Sequence, residues 1–169
     1  MEYVVLVDES NKEIGRMEKH EAHKRALLHR AFSVFVFNTK GELLLQQRST
    51  LKYHSGGLWT NTCCSHPRVG ETTANAAYRR LKEEMGFDCE LFEKFSFIYQ
   101  APLDNGLTEH ELDFVYTGIF DGLPLINKEE VASYRWIKLE SLIEEVKHHP
   151  HLFTKWFQII LNEYLQHLD

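Results

Sequence analysis

The segment Ser65–Phe87, SHPRVGETTANAAYRRLKEEMGF, carries the strongest structural signal in the chain. Thr72–Thr73 offers side-chain hydroxyls for an N-terminal cap, and Gly86 is a typical residue just past a helix end. Between them, apolar residues recur at helical spacing: Ala76, Ala77 and Leu81. The segment therefore predicts a loop, a helix over Thr72–Met85 and a second loop.

Charged residues follow a regular spacing along this predicted helix. Arg79 and Glu83 share one face, and Glu84 follows Arg80 by four residues. Exposed pairs at this spacing are common and contribute little to stability. Taken alone, the pattern favours a solvent-facing helix with surface ion pairs over a functional site.

The sequence before this helix predicts mainly strands, and the sequence after it predicts strands followed by helices. Segments rich in aromatic and β-branched residues predict six strands: Tyr3–Val7, Ala31–Asn38, Glu42–Gln47, Cys89–Tyr99, Leu112–Phe120 and Ser133–Trp136. Helical character is expected for three other segments: His20–Leu28, Leu139–Val146 and Thr154–Leu165. The turn Thr39–Gly41 predicts a hairpin of the second and third strands, and the loop APLDNGLTEH separates the fourth and fifth. This order predicts the α/β (α+β) class, a sandwich in which helices pack on a mixed sheet.

Length and composition favour one enzyme-sized domain over residues 1–169. Of the 169 residues, 43% are hydrophobic and 26% charged, enough apolar surface for a packed core. The net charge is −6 and there is no long basic run, which argues against a nucleic-acid partner.

The N-terminal apolar run is too short for a signal peptide, and no stretch has the roughly 18 apolar residues of a membrane helix. These features predict a cytoplasmic protein without a membrane partner. Of the three cysteines, Cys63 and Cys64 are adjacent, where a disulfide would be strained, so reduced thiols are expected there and at Cys89.

The helical segment resembles the Nudix box, a loop–helix–loop with a fixed pattern of glycines and glutamates. Six residues fall on that pattern: Glu71, Arg79, Leu81, Glu83, Glu84 and Gly86. Two positions depart from it, because Ser65 replaces the leading Gly and Arg80 replaces the Glu that follows the Arg. In Nudix hydrolases the box carboxylates gather divalent metal around a diphosphate, and a cation at Arg80 would repel metal and attract phosphate. This departure suggests a box rebuilt to hold a diphosphate rather than cut it.

Nearly the whole chain is similar to the type 1 isopentenyl-diphosphate delta-isomerases, a branch of the Nudix superfamily. The resemblance is carried by LLHRAFSVFVFN at 27–38, LLLQQRS at 43–49, WTNTCCSHP at 59–67, EHELDF at 109–114 and LFTKWF at 152–157. It implies a Nudix-like sandwich and interconversion of isopentenyl and dimethylallyl diphosphate, through protonation of the alkene and loss of a proton elsewhere. The implied partner is this small isoprenoid diphosphate, and no obligate protein partner is implied.

The resemblance also implies roles for individual residues. Cys64 matches the family's catalytic cysteine and Glu111 its catalytic carboxylate, while the neighbouring Cys63 is expected to pack. Tyr99 and Trp156 match residues near the reacting carbons, and Trp59 is a further candidate wall of the pocket. An aromatic face stabilises a cation by roughly 0.5–2 kcal/mol. Without the resemblance, a buried Cys or a Trp on an amphipathic helix would be assigned to the core.

Two metal sites are implied as well. The matched ligands of the first, three imidazoles and two carboxylates, are His23, His29, His66, Glu109 and Glu111. Such a set suits Zn²⁺, Mn²⁺ or Mg²⁺. The identity of the first histidine ligand stays open between His23 and His20, which lies one helical turn earlier. A second ion, Mg²⁺, would enter with the substrate diphosphate and be held by Glu84.

Four cations match the family's diphosphate contacts: Lys19, Arg48, Lys52 and Arg80. A lone Lys or Arg is more often a solvated surface residue, but four at matched positions favour a binding site. Two rival functions remain at this stage. One is a Nudix hydrolase of a nucleoside diphosphate derivative, and the other is a silent Nudix-fold module that only binds a diphosphate.

Overall fold

A computed structural model describes residues 1–169, which form one nine-stranded sheet with four α-helices. The strands are β1 Tyr3–Val7, β2 Glu13–Glu18, β3 His29–Phe37, β4 Glu42–Arg48, β5 Trp59–Thr60, β6 Cys63–Ser65, β7 Leu91–Pro102, β8 Thr108–Ile119 and β9 Val131–Lys138. The helices are α1 Lys19–Lys24, α2 Thr73–Met85, α3 Leu139–His148 and α4 Lys155–Glu163. Three short 3-10 helices lie at Asp104–Gly106, Pro150–Leu152 and Leu165–His167. The predicted α+β class is confirmed.

Strand β3 lies at the centre of the sheet. It pairs in parallel with β8 from His29–Glu111 to Phe37–Ile119, and it pairs antiparallel with β6 and β1. Strand β7 pairs antiparallel with β8, and β9 with β4. The sheet is therefore mixed, as the sequence predicts.

The predicted hairpin of β3 and β4 exists only at its closed end. The two strands share a single pair, Phe37 with Leu43, beyond which β4 pairs with β9 and β3 with β8. Local sequence identifies the turn, but long-range pairing with β8 and β9 separates the strands.

Helices cover both faces of the sheet. On one face, α2 packs its Ala77 and Leu81 against the even-numbered β3 residues such as Val34, while on the other face α4 packs against Phe35. Because successive strand side chains point to opposite faces, the unbroken apolar runs of β3 and β4 supply both cores. The largest buried side chains are accordingly spread over both layers.

The box helix α2 begins and ends at the predicted residues. The Thr72 hydroxyl accepts a hydrogen bond from the Asn75 N–H, 3.1 Å away. The backbone of Gly86 adopts the left-handed conformation, with φ 75°, and a Cβ there would lie 2.2 Å from the Leu125 carbonyl oxygen. Only glycine tolerates both constraints.

Two other predicted boundaries are wrong by four residues. Helix α1 spans only Lys19–Lys24 rather than extending to Leu28, because Ala26 has φ 52° and turns the chain into β3. Strand β8 begins at Thr108, four residues before the predicted Leu112, because its pairing with β7 continues to Pro102. The EHE motif at 109–111 therefore lies on a strand rather than in a loop.

Candidate active site

One polar pocket opens where β3, β6 and β8 meet the segment after β4. It is lined by Glu2, Lys19, Phe32, Ser33, Arg48, Lys52, Tyr53, His54, Cys64, Ser65, His66, Arg80, Glu109, Glu111, Glu130 and Trp156. Nine of these are site residues predicted from sequence. Four predicted residues, His23, His29, Glu84 and Tyr99, lie behind this lining and contact residues of the pocket.

Five of the predicted ligands form one cluster at the base of this pocket. One nitrogen or carboxylate oxygen from each lies within 4.8 Å of the others: His23, His29, His66, Glu109 and Glu111. His20 is exposed, one turn away, so the structure brings His23 and not His20 into the cluster.

Backbone register assembles the cluster from distant parts of the chain. His29 on β3 is paired with Glu111 on β8, and Glu109 is two residues earlier, so both carboxylates share one face of the sheet. His66 follows β6, which pairs with the other edge of β3. Helix α1 adds His23, which is fully buried.

The ring orientations leave nitrogen lone pairs free for a cation. His23 Nδ1 lies 2.7 Å from the Lys19 carbonyl oxygen, and His29 Nδ1 lies 2.8 Å from that of Leu27. A carbonyl can only accept, so each Nδ1 carries the proton and donates. Each Nε2 then presents a lone pair to the cluster, the arrangement of metal-binding histidines.

Two further contacts show that protein groups alone do not satisfy this cluster. His29 Nε2 and His66 Nε2 face each other at 3.2 Å. His23 Nε2 and Glu109 Oε2 are 3.1 Å apart, but they are not aligned for a hydrogen bond and neither atom has another partner. Buried polar atoms without partners are costly, and a divalent cation would satisfy them together. The donor set fits a metal ion.

The protonation of the cluster follows from burial and close carboxylates. Burial lowers the pKa of His66 to about 4, against the opposing effect of Glu111, so the ring is neutral. Burial also works against ionisation of Glu109, but contacts with His23 and His54 bring its pKa well below the usual value. An ionised carboxylate beside a neutral imidazole is the state that binds metal.

Cys64 lies in the pocket and Cys63 lies in the core. The two residues pair with Ser33 and Val34 of β3, and alternation turns their side chains to opposite faces. Cys63 is fully buried among residues that pack on α2, whereas Cys64 is partly exposed and lines the pocket. Burial raises the pKa of the Cys64 thiol to about 12, so it holds its proton at neutral pH.

Glu111 is held by hydrogen bonds at both oxygens. His66 Nε2 lies 2.8 Å from Oε1, and the Tyr99 hydroxyl donates to Oε2 at 2.7 Å. Tyr99 is buried behind Glu111 and does not line the pocket itself, so it meets the site through that carboxylate. Asp113, which the sequence reading missed, accepts from Ser33 at 2.7 Å, and burial beside Glu111 raises its pKa well above the usual value.

All four predicted cations line the pocket, and each already has a protein partner. Lys19 contacts Glu2 at 2.5 Å, and Lys52 forms an ion pair with Glu130. Arg80 contacts Glu84 at 2.5 Å, Glu83 at 2.8 Å and Glu130 at 3.3 Å. Helical spacing accounts for the pairs of Arg80 with Glu83 and Glu84, but the partners Glu2 and Glu130 come from distant parts of the chain.

Arg48 and Trp156 form one wall of the pocket. The Arg48 guanidinium lies 5.4 Å from the Trp156 ring centre and donates to the His54 carbonyl oxygen at 3.1 Å. Trp156 is buried, and its indole N–H has no partner. Trp59, the other candidate wall, lies outside the pocket beneath the Arg135 guanidinium, 4.6 Å away.

Comparison with known proteins shows the family to which the chain is similar. Residues 27–157 match the NUDIX domain model. The chain is 53% identical over 161 residues to isopentenyl-diphosphate Delta-isomerase 2 of Photorhabdus laumondii, covering 95% of this chain and 91% of that protein. It is 54% identical over 156 residues to the isopentenyl-diphosphate Delta-isomerase of Pectobacterium atrosepticum, covering 92% and 87%.

The chain belongs to the isopentenyl-diphosphate Delta-isomerase family of Nudix proteins.

Solved structures support the Nudix fold of this family member. The crystal structure of DR0079 from Deinococcus radiodurans matches with a TM-score of 0.79 at 18% identity, covering 96% of this chain and 99% of that one. A MutT protein from Methanosarcina mazei matches with a TM-score of 0.68 at 17% identity, covering 82% and 94%. At these identities the likeness concerns the fold alone. No helix of the structure is long and apolar enough to cross a membrane.

Proposed function

We propose that this protein is an isomerase that interconverts isopentenyl diphosphate and dimethylallyl diphosphate, a 1,3-allylic double-bond shift of isoprenoid biosynthesis. The observation that carries the proposal is the placement of Cys64 and Glu111 in one pocket whose rim bears four cations. Proton addition to the terminal alkene carbon of isopentenyl diphosphate gives a tertiary cation. Loss of a proton from C2 then forms the internal double bond. One proton is gained and one is lost, so the product is an isomer of the substrate.

Each step needs a group that holds or accepts a proton beside the alkene. Cys64 has a protonated thiol near neutral pH, because burial raises its pKa to about 12. Glu111 is fixed at both oxygens by His66 and Tyr99. Fixed orientation of an acid–base pair is worth several powers of ten in rate. Either residue can act first, according to which face of the alkene is protonated.

The imidazole–carboxylate cluster is proposed to hold one Mn²⁺, Zn²⁺ or Mg²⁺. The ligands would be His23, His29, His66, Glu109 and Glu111. The unpaired Nε2 of His23 and Oε2 of Glu109 support this assignment. A bound divalent ion supplies positive charge that lowers the pKa of a coordinated carboxylic acid, which makes the acid a better proton donor.

The cationic rim is proposed to bind the substrate diphosphate through Lys19, Arg48, Lys52 and Arg80. A Mg²⁺ ion carried with the diphosphate would be held by Glu84, whose Oε2 now accepts from Gln46 at 2.8 Å. Charge-assisted contacts of this kind give strong and directional phosphate binding. Above the reacting carbons, the Trp156 ring would shelter the cation from water.

We also propose that residues 1–169 act as one domain, because both cores share the central strand β3.

One assay tests this function against its rivals. The purified protein is incubated with isopentenyl diphosphate and Mg²⁺, and products are followed by acid lability and phosphate release. We expect acid-labile dimethylallyl diphosphate without phosphate. Release of phosphate, together with cleavage of nucleoside diphosphate derivatives, would indicate a hydrolase, and binding without any product would indicate a diphosphate-binding module.

Metal analysis tests the cluster independently of catalysis. The wild-type protein should hold about one equivalent of divalent metal after dialysis. His66→Ala and Glu109→Gln should lower both metal content and activity, because each removes a ligand. His149→Gln, which changes an exposed histidine outside the cluster, is the matched control. Full metal content and full activity in either ligand variant would contradict the assignment.

A further inference from the structure

His54 is a fourth buried imidazole beside the cluster, and neither the sequence motifs nor the five-residue ligand set includes it. The residue is 3% exposed, and its Nε2 lies 3.2 Å from Oε1 of Glu109. The ring centre is 5.6 Å from that of His23. His54 therefore contacts the cluster through one ligand, Glu109, rather than joining it.

The surroundings of His54 fix where its ring points. His54 Nδ1 lies 3.1 Å from the Ser55 hydroxyl, and Arg48 donates to the His54 carbonyl oxygen. The Ser55 backbone N–H donates to Asp104 at 2.9 Å, which ties this segment to the loop between β7 and β8. The ring also meets Tyr53 edge to face, at 4.4 Å and 83°. Such contacts hold the ring in one orientation without any metal.

The contacts of His54 are those of one tautomer in particular. A hydroxyl can donate to Nδ1 or accept from it; in the tautomer where Ser55 donates, the ring proton of neutral His54 stands on Nε2, which faces Glu109 Oε1 at 3.2 Å. This leaves Glu109 Oε2 as the oxygen that faces His23 Nε2, at 3.1 Å, without a hydrogen bond of its own. The two oxygens of Glu109 thus face different imidazole rings.

We propose that His54 is a positioning residue that binds Oε1 of Glu109 and so directs Oε2 toward the metal. The proposal rests on the metal cluster of the proposed function and adds a residue to it. Groups that hold a ligand in this way typically change metal affinity or activity by about 10–100-fold when removed. A purely structural His54 would instead affect packing against Tyr53 and Trp156 and leave metal affinity alone.

Two substitutions separate hydrogen bonding from packing. His54→Gln places an amide N–H near the position of Nε2 and restores the donor, while His54→Phe keeps an aromatic ring and removes it. His149→Gln serves as control, since His149 is exposed at the end of α3. Each metal-free protein is titrated with Mn²⁺ alone, and free Mn²⁺ is measured by electron paramagnetic resonance. Thermal unfolding of the metal-free proteins is recorded in parallel.

We expect His54→Phe to weaken Mn²⁺ binding about 10–100-fold while its metal-free melting temperature stays near that of wild type. His54→Gln should bind Mn²⁺ nearly as tightly as wild type and keep most of the isomerase rate. Unchanged Mn²⁺ affinity in His54→Phe, or equal losses in the Phe and Gln variants, would overturn the proposal. If His54→Phe does not fold, weak binding by a folded His54→Gln overturns it as well.

The two proposals fail in different ways. Suppose that the wild type and the variants bind Mn²⁺ in the expected order of affinity, but the wild type makes no dimethylallyl diphosphate. This result disproves the isomerase function and supports the role of His54. An active isomerase whose His54→Phe variant binds Mn²⁺ normally disproves only the role of His54.

Discussion

The Tyr99 hydroxyl donates a 2.7 Å hydrogen bond to Oε2 of Glu111. The two residues are direct neighbours on paired strands, β7 and β8, and Tyr99 stacks on Phe97 with ring centres 5.5 Å apart. His66 contacts the other oxygen, so the carboxylate has little freedom to rotate. We therefore expect Tyr99 to act on the pocket through Glu111.

Tyr99→Phe tests this relationship. The variant keeps the ring and its stacking but leaves Glu111 Oε2 without its donor, so we expect kcat to fall about 10–100-fold with little change in KM. Metal content should stay near that of wild type. An unchanged kcat would show that the hydrogen bond does not matter for turnover.

The adjacent cysteines offer a matched pair of variants. Cys64→Ala should abolish isomerisation in a protein that still folds, because Cys64 lines the pocket. Cys63→Ala should keep much of the activity and lose stability by about 1 kcal/mol, since it opens a small gap in the core on the α2 side. Kinetics and urea unfolding of both variants check this, and equal losses of activity at unchanged stability would contradict it.

Arg80 is expected to bind the diphosphate. Arg80→Ala should raise KM by about tenfold or more, because a charge-assisted contact is lost. The control is Lys82→Ala on the same helix, where the exposed Lys82 contacts only Asp88, at 3.0 Å. A KM that moves in neither variant would make Arg80 a partner of Glu83 and Glu84 alone.

Trp156 is either a wall for the cation or a core residue. If its ring faces the cation, Trp156→Leu should lower kcat much more than it raises KM, and Trp156→Phe should fall between. If it only packs, both variants should lose roughly 2–5 kcal/mol of stability and keep kcat at low temperature. Measuring kcat and melting temperature on the same three proteins decides between these roles.

From the ion pair of Glu71 with Arg79 we predict that the stability of the fold depends on pH. Arg79 donates two hydrogen bonds of 2.8 Å to Glu71, and these bonds lower the pKa of Glu71 below 4.5. The unfolded chain therefore takes up this proton first as the pH falls. The pair stabilises the fold fully above about pH 4.5, and its contribution is lost as the pH falls through the lowered pKa.

The comparison of wild type with Glu71→Gln measures this contribution. At pH 7 the wild-type protein should be the more stable in urea, and the difference should shrink as the pH falls from about 4.5 through the lowered pKa of Glu71. A difference that stays constant across this range would refute the role of the charge.

Local sequence determined much of this protein. Thr72 and Gly86 bound the box helix because capping depends on side chains close to the helix ends. Cys64 could be distinguished from Cys63 by its register with His66, and strand alternation then turns the two thiols to opposite faces. The motif residues of the pocket were predicted for the same reason, since each lies in a short and recognisable segment.

Only the tertiary structure decided which distant residues meet. Parallel pairing of β3 with β8 brings His29 beside Glu111 and splits the predicted β3–β4 hairpin, while pairing with β7 lengthens β8. The left-handed turn at Ala26 ends α1, and His23 rather than His20 lies in the cluster. His54 shows most clearly what sequence alone could not predict. Its local segment has no metal-binding spacing, and the role proposed for it depends on a contact with Glu109 that only folding creates.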